Sequence, residues 1–108
     1  MIYELRFYRA MPGKMNEMLD RFEKIVLGYW DKHGIRQVGF WTTTIGACHL
    51  EMFHMLAWES LDERERKWAA FSTDPQWLAQ FKETEKGGVV VASLSNTILT
   101  PTRFSALR

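Results

Sequence analysis

Glu4 and Arg6 stand two residues apart in a run, Ile2–Arg9, whose side chains alternate in type. On an extended chain that spacing puts both on one face. A guanidinium there would hold an anion or a developing enolate, with Glu4 orienting it or moving a proton. The plainer reading is a structural ion pair, which contributes little net stability once both charges are desolvated. His54 lies mid-strand among apolar neighbours. Its ordinary pKa of about 6.5 suits acid–base work. The commoner role for a histidine so placed is a hydrogen-bonded core residue, and as a lone haem ligand it matches no haem motif. Tyr8, Trp41 and Trp58 would shape a pocket for an aromatic or aliphatic ligand, or pack a subunit interface. The expected site is therefore His54, Arg6 and Glu4 for chemistry, with Tyr8, Trp41 and Trp58 as its walls.

The remaining candidates carry less. His33 falls in a helix's last turn, where positive charge suits the dipole. His49 and His54 are five apart on a strand and point to opposite faces, so they make no metal pair. Cys48 adjoins His49, but the two form no nucleophile motif. No HExxH, phosphate loop or dinucleotide fingerprint occurs. The expectation is a site with no metal and no cofactor.

The elements that must position these residues follow from periodicity. Ile2–Arg9 reads as a strand. After the Pro12-Gly13 turn, the apolar residues from Met15 through Met18, Leu19, Phe22, Ile25, Val26 and Tyr29 recur at spacings of three and four. That is one stripe on a long helix, with Asp20, Arg21 and Glu23 on its wet face and Gly34 as its stop. Residues 35–44 and 50–58 read as strands joined by a hairpin at Ile45–Cys48. Ser60-Leu61-Asp62-Glu63 is a capping box opening a helix that runs to about Phe71. Asp74-Pro75 restarts it, and Gly87-Gly88 ends it. Trp30, Trp68 and Trp77 read as helix packing residues, and Arg64–Lys67 as a solvated face. Residues 89–100 carry the last strand, best at Ser93–Leu99, and 102–108 form a tail.

The 108 residues are read as one domain, 1–108. Fourteen basic residues nearly balance thirteen acidic ones for a net charge of +1, which gives no electrostatic pull toward nucleic acid or an acidic membrane. One cysteine excludes an internal disulfide, and an early charge with no long apolar run argues against a signal or a membrane span. A cytoplasmic location is expected. Five Trp and seven Phe in so short a chain need more surface than one small core supplies, which points to a second subunit.

The order β-α-β-β-α-β is the ferredoxin-like, split βαβ pattern, an α+β fold. Right-handed crossovers put both helices on one face of a four-stranded antiparallel sheet. The expected bare face carries Ile2, Glu4, Arg6 and Tyr8 with Met52, His54, Leu56 and Trp58, and with Gly39, Trp41 and Thr43. Two such faces would pair and enclose a cavity in a homodimer.

The sequence also resembles the NIPSNAP family of the dimeric α/β-barrel superfamily. The matching stretches are Tyr3–Tyr8, Pro12-Gly13-Lys14, His33-Gly34, Gly39–Thr43, Ala57–Ser60, Glu63–Arg66, Asp74–Trp77 and Pro101-Thr102. The resemblance implies a dimeric barrel. Relatives in that superfamily include cofactor-free monooxygenases, haem-degrading oxygenases and lactone isomerases. The expected function is accordingly a cofactor-independent oxygenase or isomerase acting on a small hydrophobic or anionic molecule. The alternatives are a non-catalytic module binding a small ligand or a protein, and a purely structural dimerisation domain.

Overall fold

A computed structural model describes residues 1–108. The chain runs β1 (Ile2–Ala10), α1 (Met15–Arg21), a π-helical turn (Phe22–Val26), α2 (Leu27–His33), β2 (Arg36–Thr42), β3 (Glu51–Trp58), α3 (Leu61–Ser72), α4 (Pro75–Thr84) and β4 (Val91–Leu99). The strands form one antiparallel sheet in the order β2-β3-β1-β4. All helices cover one face, the ferredoxin-like arrangement expected from the element order. No helix is long and apolar enough to cross a membrane.

Local chemistry sets the element ends. Gly34, at φ +71°, adopts the left-handed turn that closes α2, where a side chain would be strained. Ser60 Oγ accepts the Glu63 N–H at 3.1 Å, while Glu63 Oε1 accepts from Glu59 N one residue earlier than a standard capping box. Asp74 caps α4 by accepting from Gln76 N at 2.9 Å, and Pro75 fills the first helical position. The second strand stops at Thr42, so its connection to β3 is a longer loop than the expected hairpin.

The π turn has a packing cause. Met18, Phe22, Val26 and Trp30 are all buried, at strict spacings of four. In an ideal α-helix each step of four drifts about 40° around the axis. A wider π turn takes up that drift and keeps the four over the sheet. It also turns Arg21, expected on the wet face, inward: its side chain is buried and bonds Glu85 at 2.9 Å.

On β1 and β3 the sheet faces are the reverse of those expected, whereas Gly39 and Trp41 of β2 lie on the open face as expected, beside Met55 and Phe53. The helices pack on the face carrying Glu4, Arg6, Tyr8, Met52, His54, Leu56 and Trp58, all of which are buried. Cross-strand pairs place Glu4 beside Leu56, Arg6 beside His54 and Tyr8 beside Met52. Met18, Phe22, Val26, Trp30 and Phe71 close over Tyr8, Met52, Leu56 and Trp58 to form the core. The open face carries Leu5 and Phe7 of β1 with Phe53 and Met55 of β3, and Phe7 and Phe53 lie 4.8 Å apart. The reason for the reversal is ionic: the charges on the buried face find partners in α3 and β4, as described next.

Candidate functional site

The Glu4 carboxylate is fully buried and accepts five hydrogen bonds. Arg6 NH1 donates to Oε2 at 2.8 Å from the same strand, and Trp58 Nε1 donates to Oε1 at 3.0 Å from the neighbouring one. Arg64 reaches down from α3 with Nε on Oε1 at 2.8 Å and NH2 on Oε2 at 3.1 Å. Asn96 Nδ2 adds a bond to Oε2 at 2.9 Å from β4. Burial alone would raise the Glu4 pKa, but bonds from Arg64, Asn96 and Arg6 and the Arg6 charge lower it to about 2. Glu4 is therefore a fixed anion near neutral pH. Arg64, expected on a solvated face, supplies two of the five bonds that keep it so.

Arg6 is divided between that anion and an aromatic cage. Its NH2 donates to Tyr8 Oη at 3.0 Å, and its guanidinium carbon lies 4.4 Å from the Trp68 ring centroid. Glu4 is shared between two guanidiniums. Arg64 finds a second carboxylate, Glu65, at 2.6 Å near solvent, whereas Arg6 has no other.

Between the helices and β1/β4 lies a cavity of about 480 Å3. Arg6 and Tyr8 line it from β1, and Arg21 and Trp30 from the α1–α2 segment. Trp68, Phe71, Trp77 and Phe81 supply its aromatic wall. Arg21 stacks on Phe81 with its guanidinium carbon 4.7 Å from the ring centroid. Glu85, also on the wall, accepts from Arg21 NH2 and from Val90 N, tying the end of α4 to the approach to β4. Three buried N–H groups on these lining residues have no hydrogen-bond partner: Arg6 Nε, Arg21 Nε and Trp30 Nε1. All three are donors only.

The six residues expected at the site are thus divided. Arg6 and Tyr8 reach the cavity. Glu4 and Trp58 lie behind Arg6 on the same sheet face, and Trp58 serves Glu4 rather than a pocket wall. His54 is fully buried in a cage of Phe40, Trp30, Tyr8 and Phe22, with ring centroids at 4.7, 5.2, 5.3 and 5.4 Å, and neither ring nitrogen has a partner. Burial first, and then the nearby Arg6 charge, lower its pKa to about 3 against an opposing pull from Glu4. His54 is neutral at pH 7. Trp41 is on the opposite face, half exposed, with its ring over Gly39, where a Cβ would meet it at 2.8 Å.

Sequence reading missed Arg21 and the helix tryptophans as cavity residues, because the amphipathic pattern assigns them to solvent or to packing. An arginine flanking an aromatic-rich stripe, with Phe22 next to it, was the available signal. His33, expected at a helix end, does more: its Nε2 and Lys32 Nζ both lie 2.8 Å from Asp74 Oδ2, tying α2 to the cap of α4. No group of three His, Cys, Asp or Glu side chains is placed to hold a metal ion.

The family model NIPSNAP matches residues 3–106. The human protein NipSnap homolog 3A is 32% identical over 79 residues, which are 73% of this chain and 31% of the human protein. The chain thus spans about a third of that relative. Two solved structures from Agrobacterium tumefaciens, protein Atu4242 and the NIPSNAP family protein Atu5224, are each 31% identical with a TM-score of 0.86. They align over 100% of both chains and over 99% of this chain and 98% of that one, respectively. A putative antibiotic biosynthesis monooxygenase from Nitrosomonas europaea aligns over 94% of this chain and 98% of its own with a TM-score of 0.63. At 9% identity that likeness is one of fold alone.

Proposed function

The chain belongs to the NIPSNAP family, and from that footing we propose that it binds a small, largely apolar anion in the cavity between its helices and its sheet. The observation that carries this is that three residues lining one aromatic cavity each hold a buried N–H donor without a partner: Arg6 Nε, Arg21 Nε and Trp30 Nε1. A buried donor without an acceptor costs about 1–3 kcal/mol. Two of the three sit on guanidiniums that already pair with Glu4 and Glu85, and their Nε donors suit a ligand that brings acceptor oxygens, as a carboxylate does. Seven aromatic side chains around it, from Tyr8 to Phe81, suit a flat apolar body.

The reaction class this site suits is cofactor-independent oxygenation or isomerisation. Both act on an enolate or phenolate, which would enter already ionised, its proton left to bulk water, and which the two guanidiniums would stabilise. Arg6 and Arg21 bind the anion, Tyr8 and Trp68 hold Arg6, and Glu4 positions Arg6 instead of moving a proton. A second reading, binding without turnover, is favoured by the state of the titratable groups: Glu4 is a saturated anion and His54 a caged neutral imidazole. Self-association belongs to either reading. The Cα radius of gyration is 14.6 Å, against roughly 13 Å for a compact chain of this length. One dimension is only 18 Å, and the open face presents Leu5, Phe7, Phe53 and Met55.

Calorimetry with 2-naphthoate and its neutral amide tests the proposal. The acid should bind and the amide should not. Arg6→Met and Arg21→Met should each weaken the acid by about 10- to 100-fold, the size of a lost charge-assisted bond. Equal affinity for acid and amide would refute it. Mass analysis of the recovered ligand after aerobic incubation separates turnover from storage.

A further inference from the structure

The proton of the Tyr8 hydroxyl has no acceptor within the chain. Tyr8 Oη accepts from Arg6 NH2 at 3.0 Å, and that is its one hydrogen bond. An oxygen that receives an N–H has used a lone pair, so its own proton must point elsewhere. Neither carboxylate of this region takes it. Glu4 accepts from Arg6, Trp58, Arg64 and Asn96, and Glu85 from Arg21 and Val90 N. Tyr8 is buried and lines the aromatic cavity. Its O–H is thus a buried donor without an acceptor, like the Nε of Arg6 next to it.

Arg64 shows how a guanidinium grips an anion in this protein. Its Nε and NH2, which share one edge of the plane, each hold one oxygen of Glu4. On Arg6 the same edge is half filled: NH2 holds Tyr8 Oη, and Nε is unpartnered. Tyr8 therefore stands where the second oxygen of a fork-bound carboxylate would lie, and it offers an O–H in place of that N–H. A hydroxyl polarised by a cation is a stronger donor than a free one.

Packing fixes the direction of this donor. Phe22 meets the Tyr8 ring edge-on at 5.3 Å, and His54 lies against it at 5.3 Å. The Arg6 guanidinium carbon is 5.6 Å from its centroid. Met52 and Leu94 flank it as cross-strand neighbours on the two sides of β1.

We propose that Tyr8 touches the ligand directly, its O–H donating to the same anionic group that Arg6 Nε binds. The two donors make a hole for an oxyanion, filled either by one oxygen set on the ring or by both oxygens of a carboxylate. The assignment rests on the cavity reading above and deepens it. Tyr8 becomes the specificity-determining residue for an oxyanion carried on a flat apolar body. A primary amide sets its own N–H against one of the two donors and is rejected.

Calorimetry with 2-naphthoate separates direct contact from a role through Arg6 alone. It is run at about pH 6, where phenols are protonated and carboxylates ionised. Tyr8→Phe should weaken naphthoate about tenfold or more, the loss of one hydrogen bond to a charged group. Placing 3-fluorotyrosine at position 8 then gives the sign. Fluorine makes the phenol a better donor and a poorer acceptor with little change in shape, so the fold is kept. A hydroxyl that donates to the ligand should now hold naphthoate severalfold more tightly, whereas one that only props Arg6 should hold it more weakly. Weaker or unchanged affinity of the fluorotyrosine chain would overturn direct contact and leave the cavity reading standing, as would undiminished affinity of Tyr8→Phe. A parent that binds no naphthoate would overturn both.

Discussion

The guanidinium of Arg6 and the indole of Trp68 stack inside the protein, 4.4 Å from charge centre to ring centroid. The stack joins β1 to α3 at the wall of the aromatic cavity. Trp68 itself is only partly buried, so it acts as a cover over a cation whose side chain is 7% exposed. A double-mutant cycle with Trp68→Leu and Arg6→Met should give a coupling of about 1–2 kcal/mol in urea denaturation. Coupling near zero would mean that Glu4 and Tyr8 alone place the guanidinium. Trp68→Leu should also weaken naphthoate binding, because the freed Arg6 loses its fixed orientation.

Glu4→Gln removes the charge that two arginines share. The amide keeps one acceptor oxygen and turns an NH2 toward donors that have nothing to give it. Removing one partner from a buried ionic cluster costs about 3–5 kcal/mol, a large part of the 5–15 kcal/mol that holds a domain together. Chemical denaturation should show that loss. Adding Arg64→Met should recover some of it, since one of the stranded cations is then gone. A Glu4→Gln cost under about 1 kcal/mol would show that the carboxylate is not the hub of the network.

Acid sensitivity follows from Glu4 and His54 together. His54 has its folded pKa lowered to about 3 from 6.5, so the unfolded chain binds the proton first as pH falls. Its contribution is fully present above pH 6.5 and drains away toward pH 3. Glu4, lowered from 4.5 to about 2, adds a second loss below pH 4.5. Stability should therefore fall in two overlapping stages. His54→Leu, similar in size and without polar atoms, should abolish the stage between pH 6.5 and 4.5. It should also match or exceed parental stability at pH 7, because two buried nitrogens without partners disappear. A drop in stability at pH 7 would mean that the imidazole has a bonding partner.

How much of this was legible depends on sequence distance. The strands, the helix stop at Gly34, the helix start at Asp74 and the antiparallel order rest on neighbours in the chain, and these read directly. The choice of sheet face did not. Judged by residue type alone, Leu5, Phe7, Phe53 and Met55 look like the core and Glu4, Arg6 and His54 like the exposed side. Arg64 and Asn96, which make the charged face buriable, lie in α3 and β4, and no local spacing announces that they converge on one carboxylate. Arg21 was hidden by another non-local effect: a π turn, set by packing of Phe22, Val26 and Trp30 on the sheet, rotates the helix beside it. The candidate residues Glu4, Arg6 and Tyr8 were findable because they share a strand. The cavity wall opposite them, built from four helical segments, was not.

Asp74 ties two helices by three bonds, from Lys32, His33 and Gln76 N. The Lys32 and His33 hydrogen bonds hold its carboxyl well below the usual carboxylate range. Asp74→Asn keeps a cap oxygen and loses the charge; Asp74→Ala loses both. The melting temperature should fall in the order parent, Asn, Ala at pH 7. Because the folded pKa is the lower one, the parent's advantage should shrink as pH drops below the ordinary aspartate value near 3.8. Equal melting of the Asn variant and the parent at pH 7 would assign the whole effect to capping.

Phe53 tests the open face. It packs against Phe7, with the rings tilted by 58°, across β1 and β3 on the side away from the helices, and it lies outside the core around Met18, Phe22 and Trp30. A charge placed there meets water in a monomer but would be buried and unpaired between two sheets. Phe53→Glu should therefore leave the near-ultraviolet signature of the helix-side tryptophans intact while shifting the chain to monomer in light scattering. A dimer of parental strength would put the interface elsewhere on the molecule. A collapse of the tryptophan signal would mean instead that the open face supports the fold of a single chain, which its position behind the sheet argues against.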